Sequence, residues 1–153
     1  MTRKNTGFTL VEILIVVIIL GILAAIVIPQ FTEASQDARN SALSSDLQTM
    51  RSQIELYKVQ HLDKYPSDLA TVTDSATFIG QLTVKTNQDG TLSGGTLNLG
   101  PYLQKFPTNA FVTGDPGSAV TIGTGVPTGC TTGWWFDKTA GKMYAGDTAH
   151  SGL

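Results

Sequence analysis

The pattern of apolar residues changes twice along the chain. From Phe8 to Ile28 almost every position is apolar, and Ile13 to Ile28 holds only apolar residues and Gly21. At about 1.5 Å per residue, positions 8 to 28 make a helix of about 30 Å, the thickness of a bilayer core. Past Gln30 the chain turns polar, yet no Gly or Pro occurs before Gln60. Within that stretch Leu43, Leu47, Met50, Ile54 and Tyr57 recur every three or four residues, an apolar stripe on one helix face. Arg51 and Glu55 add an i,i+4 pair on the exposed side. The pattern predicts one helix from 8 to about 60, roughly 80 Å long at the standard rise. Its first half is apolar on every side and its second half on one. Pro29 falls inside it and predicts a kink, since proline removes a helical hydrogen bond. A helix ending at Ile28 is the competing reading.

His61 to Pro66 reads as the end of this helix, with Ser67 or Asp68 capping a short helix to about Val72. Thr77 to Leu82 suits another helical turn. Residues 86 to 100 are rich in glycine and read as a loop, either functional or packed over the helix. Ala119 to Ile122 suits a short strand. Gly133 to Phe136 and Lys142 to Ala145 suit two strands joined by the turn Asp137 to Gly141, a hairpin. Strand alternation sends Trp134 and Trp135 to opposite faces, one toward the core and one outward. The outward ring is either a contact for a neighbouring subunit or a half-buried surface aromatic. The predicted class is α+β: a long N-terminal helix, transmembrane and then amphipathic, packed on a small antiparallel sheet.

Composition narrows the function. The net charge of −2 gives no support for nucleic-acid binding. The single cysteine, Cys130, allows no intrachain disulfide and reads as a buried or inert thiol. His61 and His150 lack metal-ligand spacing, and no nucleophile elbow, zincin or Walker motif occurs. No catalytic residue is assigned, and no enzyme is expected.

Glu12 is the anomaly. Only Arg3 and Lys4 carry charge before it, and the next charge is Glu33. A carboxylate in hydrocarbon is costly and survives there for a reason. Thr9-Leu10-Val11-Glu12 matches a capping box, in which Thr9 and Glu12 satisfy each other's backbone amides. A carboxylate in the first turn also suits the helix dipole. Arg3 and Lys4 before the apolar run place the N-terminus in the cytoplasm and the later residues outside. A cleaved secretory signal is a rival, but its apolar region is normally 7 to 15 residues, shorter than this one. A plain transmembrane anchor is another, and it leaves Glu12 unexplained.

Gly7-Phe8-Thr9-Leu10-Val11-Glu12, with the apolar run to Pro29, resembles the prepilin processing site of type IV pilins and type II secretion pseudopilins. Two later segments resemble the major pseudopilins: "GPYLQKFPTNAF" at 100–111, with Ala110 where the family has proline, and the hairpin "GWWFDKTAGKMY". The resemblance implies a leader over 1–7, cut after Gly7 by a prepilin peptidase. It implies an N-methylated Phe8, a transmembrane half over 8–30 and a periplasmic pilin-like domain over 31–153 with a hairpin at 133–145. It implies that Glu12 of one subunit meets the Phe8 amine of its neighbour and so sets the register of a homopolymer. Pairing with Phe8 of the same helix, at i and i+4, is the alternative.

The function so implied is that of a structural subunit of a periplasmic pseudopilus in type II secretion, raised from the inner membrane by an assembly platform. A type IV pilin for adhesion, motility or DNA uptake shares most of these features, and the missing cysteine pair speaks against it. A monomeric membrane-tethered binding domain using the same export route is an alternative of another class. The resemblance also implies calcium in a C-terminal loop rich in aspartate. Asp137 and Asp147 with nearby carbonyls fall short of the six to eight oxygens calcium takes, so no metal is assigned.

Overall fold

The computed structural model describes residues 7–68, 74–92, 94–95 and 98–153. The leader residues 1–6, the stretch 69–73 of the expected short helix, and 93, 96 and 97 lie outside the described residues. The chain divides into two compact units, Met1–Ala38 and Arg39–Leu153.

Helix α1 runs from Leu10 to Gln60 and its helical hydrogen bonding continues past Pro29. In the first unit its side chains are exposed all round, from Phe8 to Phe31. Pro29 has no N–H to give the Ala25 carbonyl, and the Thr32 hydroxyl donates to the Ile28 carbonyl at 3.2 Å just beyond it.

In the second unit the stripe read from the sequence is the buried face of α1: Leu43, Leu47, Met50, Ile54 and Tyr57. The helix ends with Leu62 and Asp63 in the left-handed region, φ 57° and 60°. There the Asp63 amide donates to the Lys58 carbonyl at 3.0 Å, a six-to-one bond that closes the last turn. The Asp68 side chain accepts from the Tyr65 amide behind it at 2.7 Å.

Helix α2, Ser75–Thr83, is longer than the single turn expected. Asp74 is its N-cap, accepting from the Thr77 amide at 2.8 Å. Phe78 and Leu82 point into the core. Thr86 and Leu99 form an isolated antiparallel bridge, and the Thr86 hydroxyl lies 2.9 Å from Nε2 of the buried His61.

A 3-10 turn, Asp115–Ser118, leads to β1, Val120–Gly123. β2 is Trp134–Asp137 and β3 is Lys142–Ala145. β2 and β3 form the expected antiparallel hairpin, Trp134 opposite Ala145 and Phe136 opposite Met143. The sheet as a whole is mixed and not antiparallel, because β1 pairs parallel to β2, Val120 beside Trp134. Residues 124–133 carry the chain back to the end from which β1 started, and a parallel pair requires such a return.

The alternation then sorts the side chains. Val120, Trp134, Phe136, Met143 and Ala145 are buried in one core with the α1 stripe, Phe78, Leu82, Leu103 and Phe106. Trp134 donates from its indole to the Pro107 carbonyl at 2.9 Å, which satisfies its one polar group. Trp135 faces the other way and folds back on its own chain. Its indole donates to the Gly125 carbonyl at 2.9 Å and its ring lies where a Cβ on Gly123 would come within 2.2 Å.

Arg51 departs from expectation. It makes no ion pair with Glu55. Its Nε donates to the Met143 carbonyl at 2.9 Å and its Nη2 to the Leu153 carbonyl at 2.6 Å. Arginine placed before glutamate at i,i+4 is the weaker order, and a guanidinium with five donors can serve two carbonyls at once.

Truncating the middle of the stripe tests this packing. Ile54→Ala, at a position with no exposed surface, is expected to cost about 2–5 kcal/mol. Denaturant melts of the full chain in detergent would show the loss.

Candidate assembly and processing site

The candidate site lies at the first turn of α1. Gly7 and Phe8 are exposed and precede the helix, with Thr9 as the last residue before it. The Thr9 amide donates to Glu12 Oε2 at 2.8 Å and the Thr9 hydroxyl donates to the same oxygen at 2.7 Å. In return the Glu12 amide donates to the Thr9 hydroxyl oxygen at 3.3 Å. This is the reciprocal capping box read from the sequence. It arises because the first amides of a helix have no carbonyl one turn back to accept them.

The geometry has a second aspect. Both bonds to the carboxylate fall on Oε2, and Oε1 has no hydrogen-bond partner among the described residues. Capping therefore uses half of the carboxylate. The other oxygen is open to a further donor beside Phe8. The helix that bears it is long and apolar enough to cross a membrane once.

The remaining candidates are placed as follows. Asp137 closes the hairpin turn, its Oδ1 accepting from the Thr139 and Ala140 amides at 2.8 and 3.3 Å. Asp147 Oδ1 accepts from the Asn109 side-chain amide at 2.8 Å, and Oδ2 is in hydrogen-bond contact with His150 Nδ1. Among the described residues no group of three or more His, Cys, Asp or Glu side chains converges on one point. Burial pushes the Asp147 carboxyl up, but the Asn109 hydrogen bond and the His150 contact outweigh it and hold its pKa below the ordinary value. Cys130 is half-buried, its sulfur 2.9 Å from the Thr132 hydroxyl and 3.6 Å from that of Thr121. Burial raises its pKa, but these hydroxyls more than offset that and leave it lowered. Among the described residues, its hydrogen-bond partners are these two hydroxyls. Sequence reasoning passed over Asn40, gave Arg51 only a pairing with Glu55, and met Asn109 only inside the segment 100–111, because the partners of all three are far away along the chain.

The fold is an α+β arrangement like that of type IV pilins, with the candidate site on its apolar helix. The description "Prokaryotic N-terminal methylation motif" belongs to the family model that matches this chain over residues 2–28. Among characterised relatives, the type II secretion system core protein G of Pseudomonas aeruginosa is 40% identical over 65 residues, 42% of this chain and 45% of that protein. The core protein G of Vibrio cholerae is 37% identical over 65 residues, 42% and 44% of the two chains. That of Escherichia coli K12 is 27% identical over 123 residues, 76% of each chain. The match thus spans less than half the length of the first two. No solved structure matches significantly. The chain thus matches an N-terminal methylation motif over residues 2–28 and is similar, over part of its length, to the core G proteins of type II secretion.

The acid side of the stability curve should carry the Asp147 contacts. Its folded pKa lies below the unfolded value of about 3.9, so these contacts stabilise the fold above that pH. Their contribution disappears as pH falls through the lower folded value. In Tm measurements from neutral to strongly acidic pH, Asp147→Asn should lower Tm at neutral pH and flatten this part of the acid decline.

Proposed function

We propose that the chain is a structural subunit of a periplasmic pseudopilus that drives protein export by type II secretion. The carrying observation is the half-used Glu12 carboxylate at the first turn of an apolar helix, next to the Gly7–Phe8 junction. A prepilin peptidase hydrolyses the peptide bond after Gly7 on the cytoplasmic face. The new Phe8 amine is then N-methylated, and it stays cationic. An amine and a carboxylate are each costly among apolar side chains and become tolerable as a pair.

Within one helix the amine and Glu12 are close, and they can satisfy each other before assembly. In a filament, the open Oε1 of one subunit receives the amine of the next and the shared pair sets their register. The chain lies in the inner membrane as a single pass, with its N-terminus cytoplasmic and the second unit periplasmic, until an assembly platform raises it. Its work is mechanical, and no step of it requires a catalytic side chain. The named role of the core G relatives supports this reading.

Glu12→Gln separates the two uses of the side chain, because glutamine also serves a capping box. Membrane insertion and cleavage should persist, while filament yield in cells falls at least about tenfold through loss of the buried charge pair. Filaments sheared from cells and the N-terminal mass of the mature protein give the two readouts. Normal filament yield from the variant would defeat the proposal.

A further inference from the structure

The segment after β3, residues 146–153, is where the resemblance implies calcium. The donors there do not suit one. Calcium requires six to eight oxygens facing a common point at 2.3–2.6 Å. Both Asp147 oxygens are already taken by N–H groups: Oδ1 by Asn109 Nδ2 at 2.8 Å, and Oδ2 by the His150 amide at 3.2 Å and by His150 Nδ1. Asn109 Oδ1 faces the Phe111 amide at 2.9 Å. The Gly133 carbonyl receives both Asn109 Nδ2 and the Gly146 amide, each at 2.9 Å. Asp137 Oδ1 is taken up by its own turn. The Asp147 carboxylate, Asn109 Oδ1 and the Gly133 carbonyl each face a proton.

What lies against Asp147 instead is an imidazole. His150 Nδ1 meets Asp147, and Nε2 lies 3.1 Å from Asn40 Oδ1 on α1. Each ring nitrogen thus has one oxygen partner, Asp147 on one side and Asn40 of α1 on the other. The Phe111 ring packs against it with centroids 4.0 Å apart. The other charged group on this segment is Arg51, which reaches the Leu153 carbonyl.

We propose that His150 takes the place of a divalent cation here, tying residues 146–153 to α1 through Asp147 and Asn40, so that the domain folds and stays closed without calcium. The chain of contacts runs Asn40, His150, Asp147, Asn109 and Gly133, from the helix to the entry of β2. A ligand atom supplied by the chain itself makes the closure independent of ion supply.

The test uses the full chain in detergent micelles. Its Tm is measured in about 1 mM calcium chloride and again in EGTA. The two values should agree within about a degree. A structural calcium well above its Kd would instead raise Tm by several degrees and overturn the proposal. Amide hydrogen exchange is then followed at Gly146, His150 and Leu153, whose N–H groups are hydrogen-bonded in this segment. His150→Ala should speed exchange there at least about tenfold, with or without calcium. Unchanged exchange, or protection restored by calcium, would overturn the idea. Should that variant fail to fold, Asn40→Ala removes only the exposed acceptor, and it should speed exchange at the same amides severalfold. No change in Asn40→Ala would refute the tie to α1.

Discussion

Burial of the Leu43–Tyr57 stripe beneath Trp134, Phe136 and Met143 is the contact that organises the second unit. A helix apolar on one face cannot stand alone in water, and short strands cannot either. Each supplies the surface the other lacks. The mixed sheet follows from this demand. β1 has to present Val120 and Ile122 toward the same core as Trp134 and Phe136, and the parallel register of β1 on β2 does so. Gly141, at φ 66° with the Tyr65 ring against it, lets the hairpin turn close under that ring.

The same helix carries a different problem in its first unit. From Ile13 to Ile28 the side chains are apolar all round and exposed, which suits lipid or neighbouring helices. The carboxylate of Glu12 at the head of such a run is acceptable only with partners. Thr9 provides two bonds to one oxygen and leaves the other open. Capping and charge pairing are therefore compatible on one side chain. The first serves the helix end, and the second is available to a neighbouring subunit.

Arg51 and His150 show how the polar residues of the second unit were put to use. Both lie on or against α1, and both anchor residues after β3. A guanidinium and an imidazole give fixed donor directions, so they hold backbone and carboxylate oxygens in place where an ion would otherwise have to collect them.

Much of this was readable without coordinates. The 3.6-residue period of Leu43 to Tyr57, the two-residue alternation around Trp134 and the Thr9–Glu12 spacing are local, and local periodicity follows from backbone geometry alone. Hence the extent of α1, the hairpin and the capping box came directly from the order of residues. The parallel pairing of β1, the turn of Arg51 away from Glu55, and the meeting of Asn40, Asn109, Asp147 and His150 were not readable. Those depend on which distant segments the core brings together, and only tertiary packing selects one partner among the many that a donor or a strand edge accepts.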